Sequence, residues 1–95
     1  MAKQKIMLMP ETKQVLADLG KNIRLWRLRR NIPVNLVAKR AMVSRSTVWR
    51  IEEGSPSVAM GAYVAVMHAL DGMDALLAAV GKDDSADHLL QEKCL

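Results

Sequence analysis

Leu36-Val37-Ala38-Lys39-Arg40-Ala41-Met42-Val43-Ser44-Arg45-Ser46-Thr47-Val48-Trp49-Arg50-Ile51-Glu52 is the stretch whose reading decides the fold. It reads as a short helix from about Val34 to Ala41, a tight turn at Met42-Val43, and a second helix from Ser44 to Gly54. Ser44 is a good N-cap, because its hydroxyl accepts from an orphan backbone N–H one turn on. Gly54 is a good stop, since glycine takes the left-handed conformation that closes a helix. At roughly 100° per residue, Arg45, Ser46, Trp49, Arg50 and Glu53 share one side of the second helix. Thr47, Val48 and Ile51 fall on the other. One face is apolar and the opposite face carries two arginines, a hydroxyl and an indole. Such a helix has a stripe for a core and donors that reach base edges in a major groove.

The charge distribution points the same way. The chain has 95 residues and a formal net charge of +4. Residues 19–51 hold Lys21, Arg24, Arg27, Arg29, Arg30, Lys39, Arg40, Arg45 and Arg50 and no acid, a local charge of +9. Residues 52–95 carry −6 and residues 1–18 carry +1. A charge run alone is usually a solvated face. An acid-free span that coincides with a helix-turn-helix pattern is the electrostatic footprint of a phosphate-binding surface.

Around the motif the chain reads as all-α, a compact bundle of about five helices. Residues 1–11 form an N-terminal arm, residues 12–81 the helix-turn-helix domain, and residues 82–95 an acidic tail. In the arm, Ile6-Met7-Leu8-Met9 is either loose or a short strand; such a strand would have to pair across a dimer interface. Thr12 is placed to cap a long first helix running to about Asn31, with Val15, Leu16, Leu19, Ile23 and Trp26 as its buried stripe. Pro33 then breaks the helical pattern. Ser57 is placed to cap a nearly all-apolar helix over Val58–Leu70, ended by Asp71-Gly72. A helix apolar on most sides must be covered on most of them, so part of it is expected to meet a second subunit. Asp74–Val80 reads as a last short helix, either a dimer contact or the closure of the monomer core.

Several classes are disfavoured. One cysteine, Cys94, allows no internal disulfide, which fits a reducing cytoplasm. No apolar run reaches the roughly 18 residues of a membrane span. His68, His88 and Cys94 lack the spacing and number of a metal site. No nucleophile-base set or glycine-rich phosphate loop stands out, so neither a catalytic residue nor a cofactor is expected.

Arg45, Ser46, Trp49 and Arg50 are the expected base contacts, with arginine a good match to guanine O6/N7. Trp49 packs either on a thymine methyl or sugar wall, or on the preceding helix. Arg24, Asn35, Lys39, Arg40 and Thr47 are the phosphate candidates, which position without specifying.

The motif also resembles the lambda-repressor/Cro-like helix-turn-helix family. The residues that carry the resemblance are Val37-Ala38, Met42-Val43-Ser44 and Val48-Trp49-Arg50-Ile51-Glu52-Glu53-Gly54, and it covers roughly Leu19 to Leu70. Two positions depart from the family. Met42 stands in place of the turn glycine, and Val34 where a phosphate-binding Gln is frequent. The resemblance implies an ion pair between Arg27 and Glu52, and a homodimer on a palindromic double-stranded operator. A narrower similarity, through Leu19–Arg30, Ser44-Arg45-Ser46-Thr47 and Gly61-Ala62-Tyr63-Val64, is to the small regulators paired with Hip-type kinase toxins. It implies an autoregulating antitoxin with a kinase-like protein partner. A prophage or metabolic repressor without a toxin partner is the alternative. A weaker one is an interaction module that has lost DNA binding.

Overall fold

The computed structural model describes residues 7–72 and Ala78. Four helices stand among them: α1 (Pro10–Arg29), α2 (Val34–Ala41), α3 (Arg45–Glu52) and α4 (Met60–Ala69). The about five helices that the sequence suggests include one over 74–80, which lies outside these residues, and a strand is one of the two readings of Ile6–Met9. Among the described residues there is no strand, and Met7–Met9 are outside any element. A lone strand has no ladder partner among the described helices. Residues 1–6, the helix expected over 74–80, and the tail 82–95 with His88 and Cys94 lie outside the described residues, Ala78 excepted.

α1 starts two residues before the expected cap. Pro10 occupies the first helical turn, where its preset φ suits a helix and its missing N–H is no loss. Met9 is the extended N-cap, so Thr12 lies inside the first turn and caps nothing. Val15, expected in the core, is 68% exposed. Residues 10–15 are exposed throughout, so nothing in the described structure lies near enough to cover it. The working stripe is Leu16, Leu19, Ile23 and Trp26, with Ile23 fully buried.

The core is a single cluster. Ile23 from α1, Val37, Ala38 and Ala41 from α2, and Val48 and Ile51 from α3 meet Tyr63, Val66 and Met67 from α4 and its C-cap residue Leu70. α2 lies against both α3 and α4, and α1 lies against α3. Between α1 and α3 the two backbones approach closely. A Cβ added at Gly20 of α1 would collide with the Ile51 carbonyl and lie 2.7 Å from the Gly54 nitrogen. A Cβ at Gly54 would lie 2.6 Å from the Ala17 Cα.

α4 starts later than expected. Its N-cap is Ala59, without a side-chain cap. The Ser57 hydroxyl sits 2.8 Å from that of Ser55, and the Ser57 N–H donates to Ser55 Oγ, so both serines serve the Ser55-Pro56-Ser57 turn. The Tyr63 hydroxyl ties this turn to α4 by donating to the Ser55 carbonyl at 2.7 Å. Burial pushes the Tyr63 phenol above its ordinary 10.0.

All four helices close by one backbone device. A residue at or just after the C-cap turns left-handed, Met42 at the cap itself and Asn31, Gly54 and Asp71 just after it, with φ between 51° and 75°. The next N–H reaches back one turn in each case: Ile32 to Arg27, Val43 to Ala38, Ser55 to Arg50 and Gly72 to Met67. This is the Schellman arrangement. Only one of the four positions is glycine. At the end of α4 the turn residue is Asp71. Gly72 instead makes room for an aromatic ring, since a Cβ there would strike Trp26.

Two stability changes follow. Gly20→Ala forces α1 off α3 and should cost about 2 kcal/mol, lowering the thermal midpoint by about 8–16 °C. Met42 is 91% exposed and has φ 59°, so its side chain packs against little while its backbone is strained. Met42→Gly should therefore add about 0.5–1 kcal/mol and raise the midpoint by about 3–6 °C in the same melting assay.

Candidate nucleic-acid interface

The outward face of α3 is set by what its inward face buries. Val48 and Ile51 are at 0% exposure, while Arg45, Ser46, Trp49, Arg50 and Glu53 are all exposed. An eight-residue helix is about 12 Å long and would be marginal alone. Its start is secured by Ser44, whose Oγ accepts from the Thr47 N–H at 3.1 Å. The Ser46 and Thr47 hydroxyls lie 3.0 Å and 2.9 Å from the same Oγ. Thr47 is thus half-buried in the cap, and Ser46 stays on the exposed side beside Arg45.

The far end is secured by charge. Arg27 Nε donates to Glu52 Oε2 at 2.7 Å and Arg27 Nη2 donates to Glu52 Oε1 at 3.0 Å. The two side chains are only 12% and 7% exposed. Arg27 Nη1 also donates to the Ile32 carbonyl. One guanidinium therefore joins α1, the segment leading into α2, and the end of α3. The fork geometry of arginine permits this where a lysine point charge would not. The pair also resolves a local conflict. A carboxylate in the last turn of a helix faces the negative end of the helix dipole, and Arg27 offsets that.

The proposed contact residues sort into groups. Arg45 and Asn35 come together, with Arg45 Nη1 donating to Asn35 Oδ1 at 3.3 Å. Trp49, which is 53% exposed, lines a cleft of about 210 Å³ with Arg24, Arg27, Glu52 and Glu53. Arg24 and Trp49 thus share one site although they lie 25 positions apart. Arg40 is elsewhere: it lines a second cleft of about 370 Å³ with Ala41, Met42, Ala65, His68, Ala69 and Asp71, toward α4. Lys39 and Arg50 are exposed. Arg30 stacks over Trp26, its guanidinium carbon 5.8 Å from the ring centroid.

The sequence pattern carries no signal for two of these features. The Arg27 bond to the Ile32 carbonyl and the Asn35–Arg45 bond join residues from different elements. Only the residue types able to pair are readable along the chain.

A helix presenting arginines outward across a tight turn from a supporting helix defines a helix-turn-helix protein. A family model described as a helix-turn-helix domain matches residues 18–80, and the chain belongs to that family, a class of DNA-binding transcriptional regulators. No curated protein and no solved structure matches the chain. Among the described residues, no helix is long and apolar enough to cross a membrane.

Removing one partner of the Arg27–Glu52 pair leaves the other buried without a countercharge. Glu52→Ala should cost about 3 kcal/mol in denaturant unfolding. The double change Arg27→Met with Glu52→Leu should recover part of that loss, because no unpaired charge remains. Equal losses in the two proteins would mean that packing, not the charge pair, carries the effect.

Proposed function

We propose that the protein is a sequence-specific transcriptional repressor that binds a palindromic double-stranded operator as a homodimer. The observation that carries this is α3 itself. Arg45, Ser46, Trp49 and Arg50 are all exposed along its free side, while both ends are pinned by Ser44 and the Arg27–Glu52 pair. Arg45 and Arg50 are assigned to guanine edges, Ser46 to an adjacent base edge, and Trp49 to a thymine methyl or the sugar wall. Arg24, Lys39, Arg40 and Thr47 are assigned to phosphates. Dimerisation would put equivalent α3 helices in successive major grooves, about 34 Å apart. The protein acts in the cytoplasm, and no catalytic step, metal or cofactor is part of its action.

Within this class we assign it to the autoregulating antitoxins of Hip-type kinase pairs. The support is the sequence pattern of Leu19–Arg30, Ser44–Thr47 and Gly61–Val64. A repressor without a protein partner is the competing assignment. A kinase-like protein that co-purifies with this chain after nuclease treatment supports the antitoxin role. Its absence, with operator DNA still enriched, leaves the plain repressor.

Selection from a randomised duplex library tests the DNA reading directly. A palindrome with half-sites one helical turn apart is the expected product. On that duplex Arg45→Ala and Arg50→Ala should each cost about 1–3 kcal/mol, concentrated at one base pair per half-site. Lys39→Ala should weaken every duplex alike and reduce the salt dependence by about one phosphate contact. Selection that enriches no sequence would overturn the proposal.

A further inference from the structure

Asn35 stands at the start of α2 and Arg45 at the start of α3, ten positions later. Both side chains are exposed, yet they meet: Arg45 Nη1 donates to Asn35 Oδ1 at 3.3 Å. The chemistry of the pair fixes its orientation. A guanidinium has five N–H donors and no acceptor, so the amide must turn its oxygen to the arginine. The two Nδ2 hydrogens of Asn35 are then directed away from the guanidinium.

We infer that Asn35 is a specificity-positioning residue: it holds one edge of the Arg45 guanidinium so that the remaining edge is aimed at a base pair. This rests on the assignment of Arg45 to a base edge given above. A free arginine on a surface helix samples many rotamers, and ordering it on binding costs affinity. Bidentate recognition of guanine O6/N7 needs the guanidinium plane in the plane of the base. An acceptor on one corner restricts that plane before the DNA arrives. No other side-chain hydrogen bond of Arg45 is present among the described residues. The neighbouring α3 arginine, Arg50, has no such partner there, so the two arginines of the face differ in preorganisation.

A simple phosphate contact from Asn35 makes a different prediction, because phosphate contacts carry no sequence information. The test measures binding of the full-length chain to the selected operator, and to the same duplex changed at the base pair lost in Arg45→Ala. The proteins are wild type, N35A, N35D, R45A and N35A/R45A. N35A should bind the operator about 5-fold more weakly than wild type. It should bind the changed duplex equally well, and it should add no loss in the R45A background. N35D keeps an acceptor for Arg45, so it should retain the wild-type ratio between the two duplexes even where it weakens both. The thermal midpoint should be the same in N35A and wild type, since an exposed hydrogen bond contributes little to folding.

A loss in N35A that is equal on both duplexes and persists in the R45A background would make Asn35 a phosphate ligand and overturn the inference. No loss at all would overturn it too. If R45A keeps the wild-type base preference, the assignment of Arg45 itself fails, an outcome read from R45A alone without any Asn35 variant.

Discussion

Gly20 on α1 and the closing turn of α3 around Gly54 lie so near each other that neither position has room for a Cβ. This approach sets how α3 sits on the domain. Backbones at that separation allow almost no sliding or rotation, because the atoms in contact cannot change rotamer. The Arg27–Glu52 pair acts at the same α1–α3 interface, at the end of α3. Together they fix both the distance and the rotation of an eight-residue helix that could not hold its own geometry in water.

The functional face depends on that rotation. Val48 and Ile51 occupy the core completely, so Arg45, Ser46, Trp49 and Arg50 must point outward. The charge of the region then reads differently from its sequence. Of nine cations between residues 19 and 51, Arg27 is neutralised by Glu52, and Arg30 stacks on Trp26. Arg40 turns toward the cleft that also holds Asp71. Arg24, Arg45 and Arg50 remain beside or on the exposed face, Arg24 next to Trp49 and Arg45 held by Asn35.

The helix ends show how far local sequence rules reach. Gly54 as a left-handed closing residue was legible because glycine alone adopts that conformation without cost. Met42 was legible only through the resemblance, which marked it as standing where a glycine is usual. Asn31 and Asp71 carry the same backbone conformation and were not anticipated as such. Both residue types tolerate it, but many asparagines and aspartates lie in turns of other kinds. Thr12 and Ser57 failed as expected caps for related reasons. Pro10 offered an earlier start, and Ser55 engaged the Ser57 hydroxyl first.

What the amino-acid sequence determined by itself was the motif: two short helices, the turn between them, the Ser44 cap, and the division of α3 into a buried and a polar side. These follow from spacings of three and four residues within one element, where geometry is local. The tertiary structure decided which of the polar residues work together. Asn35 with Arg45, Arg24 with Trp49, and Arg40 with His68 and Asp71 are neighbours only because α1, α2 and α4 pack around α3 at particular angles. Those angles come from glycines without side chains and from a core filled to contact. Such constraints act between elements and leave no periodic mark along the chain.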